Sequence, residues 1–305
     1  MLDPAAFDAL PWPQFLAQQQ LPEGYRQQAA RWFMPLLESI DARRRLAGHP
    51  LLVAINGSQG SGKSTLAALL AMALPRLFGL SVCALSLDDF YLTRTARQSL
   101  ATRVHPLLAT RGVPGTHDVA LMQRTLEALR RDAGQLAVPA FDKAQDDRVA
   151  EGEWQRVATP VDVAIWEGWC LGVPPQSEEA LAKPVNQLER EEDHDGQWRR
   201  YVNRALARDY EPLFAQVDLW VMLAAPSFGC VQRWRSEQEE KLAVRRGADA
   251  IGLMSSAQIA RFVEFYQRLT EWGLERLPPA MDYCYRLDEQ RQIRALQGPM
   301  SPEAL

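Results

Sequence analysis

Gly57-Ser58-Gln59-Gly60-Ser61-Gly62-Lys63-Ser64 has the residue types and spacing, G-x-x-x-x-G-K-[ST], that hold a phosphate chain. Glycines let the backbone fold so tightly that successive N–H groups face phosphate oxygens, and the start of the following helix adds a favourable dipole. Lys63 would neutralise the β and γ phosphates, Ser64 would ligate Mg²⁺, and Thr65 follows as their helical neighbour. The flanks are those the motif needs. Leu51-Leu52-Val53-Ala54-Ile55 is a continuous apolar run suited to a doubly buried parallel strand. Lys63 to Phe78 is an Ala- and Leu-rich helix that Gly79 stops.

Two further carboxylate positions fall where chemistry on a bound phosphate could use them. Asp88 and Asp89 end a second strand, Ser81 to Leu87, and precede Phe90-Tyr91-Leu92-Thr93. A carboxylate there would face the γ-phosphate and accept the proton of an attacking hydroxyl. Asp88 is assigned that role; Asp89 is left as a turn cap or a partner behind it, since capping is common for Asp. Glu167 ends a third strand, Val161 to Trp166, at the position from which an acid assists the metal. Arg111 stands alone among uncharged neighbours and could grip a substrate carboxylate in a two-pronged contact. Asp118 is first of all the N-cap of a helix beginning at Val119. Asp142, Lys143, Asp146, Asp147 and Arg148 either line an acceptor pocket or are solvated; spacing alone does not decide. Arg233, Arg235, Lys241, Arg245 and Arg246 lie on a helix that either closes over transferring phosphates or pairs with Glu237, Glu239 and Glu240 at the surface. Phe262, Phe265, Tyr266 and Leu269 are spaced as core packing.

The elements that must position these groups alternate. The strands named above and a further one at Val217 to Leu223 are separated by helical stretches, notably Val119 to Asp132 and Ala257 to Trp272. This predicts an α/β fold, a mostly parallel sheet covered by helices on both faces, with the ligand site beyond the carboxyl ends of the strands. Residues 1 to 49 form a Pro-punctuated N-terminal helical extension, including Tyr25 to Arg45, and residues 50 to 305 form the remaining domain. Within it, 174 to 200 departs from the rhythm, with Pro174-Pro175, Pro184 and the acids Glu189, Glu191, Glu192, Asp193 and Asp195; it is expected to be an exposed insertion without chemistry. Residues 228 to 256 hold this basic helix and would be a helical lid on the first of its two readings.

The 305 residues, 47% hydrophobic and 24% charged, suffice for one large core. A net charge of −4 gives no general attraction for nucleic acid or anionic lipid, so phosphate binding must be local and the partner a small molecule. Cys83, Cys170, Cys230 and Cys284 form no CxxC pair and the four His residues no zinc spacing. There is no basic segment leading into an apolar run at the N-terminus, and no stretch approaches the roughly 18 apolar residues of a membrane span. The cytoplasm is the expected compartment; the oligomeric state is not readable.

Together the phosphate loop, Leu87 to Thr93, Arg111-Gly112-Val113-Pro114-Gly115-Thr116-His117-Asp118, Pro139-Ala140-Phe141-Asp142-Lys143 and Glu167-Gly168-Trp169-Cys170-Leu171-Gly172 resemble the P-loop D-glycerate 3-kinases. These belong to the wider group of phosphoribulokinase, uridine kinase and type I pantothenate kinase. The resemblance runs from about Pro50 to Trp272 and includes Val231 to Arg235. It implies a P-loop NTPase sandwich of three layers and ATP-dependent phosphorylation of glycerate to 3-phosphoglycerate, with ATP and Mg²⁺ as cofactors. It also implies Asp88 as base, Glu167 assisting the metal, and a lid from Arg233 onward. The acceptor site expected from these segments comprises Asp88, Tyr91, Arg111, Thr116, His117, Asp118, Asp142 and Lys143. The chain departs from plant members in a shorter charged stretch after Lys143 and in Cys170 and Val173, where bulkier apolar residues are expected.

Overall fold

In the computed structural model, which describes residues 2–131, 133–246 and 256–298 and only the backbone of 238–246 and 256–257, the first apolar run becomes strand β1 (Leu51–Gly57), buried along its whole length. Its neighbours in a six-stranded sheet come from β2 (Val82–Ser86), β7 (Val163–Gly168), β8 (Leu219–Ala224), β9 (Tyr283–Leu287) and β10 (Ile293–Gln297). The order is β10-β9-β8-β1-β7-β2, parallel throughout except for β10. The expected mostly parallel α/β sheet is therefore present. β9 and β10 lie beyond the region from which the motifs were drawn. Two antiparallel ribbons stand outside the sheet: β3 (Gly134–Val138) with β6 (Gln155–Thr159), and β4 (Phe141–Asp142) with β5 (Asp147–Arg148). The run Leu136 to Phe141 is thus split between two ribbons, because Pro139 cannot donate to a ladder.

The register sets the site. Glu167 on β7 is level with Ile55 on β1 and with Ser86 on β2, so the phosphate loop, Glu167 and the Asp88 turn leave the same edge of the sheet side by side. One face of the sheet is covered by α1 (Pro4–Asp8), α2 (Trp12–Gln19), α3 (Tyr25–Ala47) and α4 (Lys63–Phe78), whose buried side chains share one core with β1, β8 and β9. Tyr285 of β9 donates to the Trp32 carbonyl at 3.0 Å and packs edge-on against Phe33. On the other face lie α5 (Arg94–Arg103), α6 (Val119–Arg131), α7 (Glu178–Ala182), α8 (Gln187–Glu192), α9 (Gln197–Ala205), α10 (Glu211–Phe214) and, past the further helix α11 (Phe228–Arg246), α12 (Ser256–Arg276). Asp132, the expected last residue of α6, lies outside the described residues. No helix among the described residues is long and apolar enough to cross a membrane.

The acidic stretch 174 to 200 departs from expectation. Glu191, Glu192 and Asp195 are exposed, but Glu189 is 1% and Asp193 0% exposed. Glu189 accepts from Arg268 of α12 through both oxygens, at 2.7 and 2.6 Å. Asp193 accepts from the backbone N–H groups of Trp198 and Arg199 and from the Arg199 guanidinium at 2.9 Å. Composition reads as solvated because the neutralising Arg268 comes from far along the chain. Removing one member of such a pair strands a buried charge. In urea denaturation, Glu189→Ala is expected to lose about 3–5 kcal/mol, while Glu191→Ala stays within about 0.5 kcal/mol. Equal, small effects would show that the buried pair does not hold this segment to α12.

Candidate active site

The phosphate loop turns through Gly60 (φ +78°) and Gly62 (φ +94°), left-handed conformations that only glycine adopts without strain. A Cβ on Gly60 would also lie 2.8 Å from the Trp234 Cβ of α11. Arg291, in the turn between β9 and β10, donates from Nε to the Gly60 carbonyl at 2.9 Å and from Nη2 to Glu237 of α11 at 2.6 Å. The loop is thus gripped from behind by α11 and the hairpin. Asn56, buried at the end of β1, donates to the Leu171 carbonyl at 2.7 Å and fixes the turn after Glu167. Neither Arg291 nor Asn56 belongs to a motif; their role becomes visible only once distant segments meet.

Beside the loop opens a cleft of about 240 Å³. Gln59, Gly60, Lys63 and Ser64 form one wall; Asp88, Tyr91, Arg111, Lys143 and Glu167 face them, and Trp169, Arg235, Phe262 and Tyr266 complete the rim. Asp88 accepts from the Tyr91 hydroxyl at 2.8 Å through Oδ1 and pairs with Lys143 through Oδ2. Burial pushes its carboxyl up, but the charges of Lys143 and Lys63 and the hydrogen bonds from Lys143 and Tyr91 outweigh burial and bring it down to about 2. Asp89 differs. Its Oδ2 accepts from the Ser86 N–H at 3.1 Å in a capping box, while burial, the first cause, together with the Asp88 and Glu167 charges raises it to about 6.

Arg111 pairs with Asp146 and lies over the Phe141 ring at 5.5 Å, and its own carbonyl accepts from the Tyr266 hydroxyl at 3.3 Å. Asp146 is held in turn by the buried Arg97 at 2.6 Å. Of the charged stretch after Phe141, Lys143 reaches the cleft. Asp142 instead accepts from the Ala144 and Gln145 N–H groups of its own turn, Asp147 caps Arg94 of α5, and Arg148 donates to the Tyr91 carbonyl and Asp118.

Thr116, His117, Asp118 and Asp142 do not line the cleft as an acceptor site would require. Thr116 is fully buried and its hydroxyl closes the Gly112 to Thr116 turn, donating to the Val113 carbonyl at 2.7 Å. His117 stacks on Tyr91 at 4.6 Å with Nδ1 2.6 Å from the Tyr210 hydroxyl. Burial pushes its imidazole down to about 3, so it is neutral at working pH. Asp118 caps α6, accepting from Leu121 N–H at 3.0 Å. These four support the wall that carries Tyr91 and Arg111. Phe265, Tyr266 and Leu269 are buried in the core as expected, with the half-buried Phe262 packed against them, and Phe262 and Tyr266 also line the cleft.

Positions two apart on a helix point about 200° apart, and this separates the two arginines of α11. Arg235 lines the cleft, its guanidinium 5.3 Å over the Phe262 ring. Arg233 instead pairs with Glu289 at 3.2 Å, away from the cleft. The side chains of Lys241, Arg245 and Arg246, and residues 247–255 of the expected lid, lie outside the described residues.

Among the described residues no cluster of three or more His, Cys, Asp or Glu side chains could hold a metal by itself. Ser64 Oγ donates to Glu167 Oε1 at 2.8 Å, and Glu167 Oε2 is buried without a hydrogen bond, 3.9 Å from Lys63 Nζ. A hydroxyl and a carboxylate with one oxygen uncommitted fit a Mg²⁺ that takes its other ligands from phosphates and water.

No protein-family model matches the chain. The chain is 35% identical over 240 residues to the uncharacterized kinase mug58 of Schizosaccharomyces pombe, covering 76% of this chain and 83% of that one. It is 31% identical over 229 residues to the chloroplastic D-glycerate 3-kinase of Arabidopsis thaliana, covering 71% of this chain and 46% of that protein. Among solved structures, the D-glycerate 3-kinase of Cryptococcus neoformans superposes with a TM-score of 0.70 at 27% identity, covering 86% of this chain and 96% of that one.

Adjacent aspartates with opposite shifts yield a measurable sign. A group whose folded pKa lies above its unfolded value takes up a proton on folding, so its contribution to stability is present below the unfolded value and lost as pH rises to the folded one. For Asp89 that window runs from its ordinary 3.8 to about 6. Asp89→Asn keeps the oxygen that caps Ser86 and cannot ionise. Its stability relative to the unaltered chain is expected to grow from pH 4 to pH 6 by on the order of 2 kcal/mol and then level off. A difference independent of pH across that range would refute the assignment.

Proposed function

The chain belongs to the D-glycerate 3-kinase-like family of P-loop kinases, and from that premise we propose that it transfers the γ-phosphate of ATP to the 3-hydroxyl of D-glycerate. The observation that carries this reading is the composition of the cleft: of its two carboxylates Glu167 is engaged by Ser64 and Lys63, which leaves Asp88 for an acceptor hydroxyl, and the further cations Arg111, Lys143 and Arg235 converge on the same space. D-glycerate is small, brings a hydroxyl to the carboxylate and brings its own carboxylate to the cations. A cleft of about 240 Å³ suits an acceptor of that size.

Lys63 and the loop amides hold the donor phosphates, and Glu167 with Ser64 would hold Mg²⁺, which when bound neutralises charge on the phosphate oxygens. Asp88 orients the acceptor hydroxyl and takes its proton. A carboxyl near 2 is a weak base. In a loose phosphoryl transfer the bond to the leaving group is largely broken before the new bond forms, so the hydroxyl loses its proton late, when it is already acidic. The acceptor also strengthens the base. A carboxylate arriving at Lys143 competes with Asp88 for that ammonium and lifts the Asp88 carboxyl from its depressed value. Arg111, held by Asp146 and the Phe141 ring, presents a fork suited to the same carboxylate. Arg235 stands at the rim on α11, placed to approach transferring phosphates if that helix and the residues after it act as a lid.

Pantothenate, a nucleoside or a sugar phosphate is the alternative acceptor, and an acceptor-independent regulatory ATPase the alternative class. A phosphotransfer screen with D-glycerate, pantothenate, uridine and ribulose 5-phosphate separates them. ATP turnover that is the same with and without every acceptor would favour the regulatory reading. Asp88→Asn is expected to lower kcat by about 10²–10⁴ while ATP binding is retained; near-normal turnover would sink the base assignment. For Arg111→Lys, the acceptor KM is expected to rise by about tenfold or more with kcat little changed, since a point charge cannot reproduce the fork. An unaltered KM would remove Arg111 from the acceptor site.

A further inference from the structure

The β4–β5 ribbon turns through residues 143 to 146, and both ends of that turn reach charged groups of the cleft. Lys143 at its start pairs with Asp88, and Asp146 at its end pairs with Arg111. Asp146 holds a φ of +56°, in the left-handed region that a residue with a side chain seldom occupies, Asn, Asp and His being the main exceptions. Its carboxylate is divided between two arginines. Oδ1 accepts from Arg111 Nη1, and Oδ2 lies 2.6 Å from Arg97 Nη2.

The two arginines are held differently. Arg97, 1% exposed, also donates to the Leu92, Asp146 and Ala109 carbonyls at 2.7, 3.0 and 3.3 Å, so its guanidinium has nowhere else to go. Arg111 lines the cleft, and beyond Asp146 its guanidinium reaches the Lys143 carbonyl at 3.4 Å. Both guanidiniums lie over the Phe141 ring, 5.6 and 5.5 Å from its centre, which sets two like charges side by side. The ring is itself fixed, packing edge-on against Tyr91 at 5.2 Å. Burial pushes the Arg97 guanidinium down, the Asp146 charge pushes it back up, and the Arg111 charge pushes it down again. Asp146 is thus what allows the two to share the ring. A lone Arg111–Asp146 pair would fix Arg111 but cancel its charge. With Arg97 behind, two guanidiniums and one carboxylate leave one net positive charge, so Arg111 is held in place and the row still attracts an anion.

We infer that Asp146, backed by Arg97, is a positioning residue of the acceptor site: it fixes Arg111 at the cleft and so sets the preference for an acceptor that bears a carboxylate over a neutral one of the same size. The inference rests on the kinase reading above and deepens it. Without the Asp146 charge the two guanidiniums repel each other, Arg97 is walled in, and Arg111 is the one that leaves the ring. The test is the steady-state kinetics of Asp146→Asn, which tolerates the left-handed backbone and keeps an accepting oxygen but no charge. D-glycerate is the acceptor and glycerol, which carries a hydroxymethyl group in place of the carboxylate, the competitor. The KM for D-glycerate is expected to rise about fivefold or more, while kcat, the KM for ATP and the inhibition constant of glycerol stay within about twofold. Asp146→Gly, in which the left-handed backbone is unstrained, is expected to match it, since the loss follows the charge. An unchanged KM for D-glycerate in both variants would overturn the inference while leaving the kinase reading standing. So would a weakening shared in equal measure by glycerol, which marks general damage to the cleft. Failure of the unaltered chain to phosphorylate D-glycerate would overturn the kinase reading and this inference with it.

Discussion

The closeness of the turn between β1 and α4 to the backbone behind it is the constraint on which the site depends. Gly60 lies so near the base of α11 that a single added carbon would collide with Trp234, itself fully buried. The Gly60 carbonyl is held by Arg291 from a turn more than two hundred residues later. Amides that are to receive a phosphate chain must stay aimed without it, because preorganised dipoles stabilise charge with little reorganisation. Here the aim is supplied from the rear of the loop, and the same contacts tie α11 and the β9–β10 turn to the donor site. Trp234 and Arg291 thus couple the position of α11 to that of the loop.

Across the cleft from the phosphate loop the governing feature is the contrast between two neighbouring aspartates. A 3₁₀ turn at Leu87–Phe90 sends Asp88 into the cleft between two lysines and turns Asp89 back onto its own strand. Adjacent carboxylates in different surroundings are driven apart in pKa, and here the one kept ionised, Asp88, is the one that lines the cleft. Tyr91 adds a hydrogen bond to Asp88 and is backed by the stacked, neutral His117. The residues from Gly112 to Asp118 stand behind the cleft and fix the wall that carries Tyr91 and Arg111.

Much of this was legible without coordinates where the signal is local. The phosphate loop, α4 from Lys63 to Phe78 and its Gly79 stop coincide with expectation, because helix termination and the loop depend on neighbouring residues only. The separation of Asp88 from Asp89 also follows from a local rule, the cap. The acidic stretch around Glu189 misled for the converse reason. A charge is solvated or buried according to its partner, and Arg268 is 79 residues away. Thr116 and His117 share a segment with Arg111, yet the turn that Gly112 and Gly115 permit, with φ values of +139° and +93°, buries them, and Asp118 is taken up by the cap of α6.

By itself the sequence determined that a nucleotide phosphate is held between a buried strand and a helix, and that carboxylates at the ends of two further strands stand near it. Those features follow from chain-local rules of backbone geometry, burial and capping. Only the tertiary structure decided which charges share the cleft, that Arg235 and not Arg233 faces it, and that one carboxylate, Asp146, joins the buried Arg97 to Arg111. Direction and pairing of side chains depend on elements remote in sequence, and packing alone brings those together.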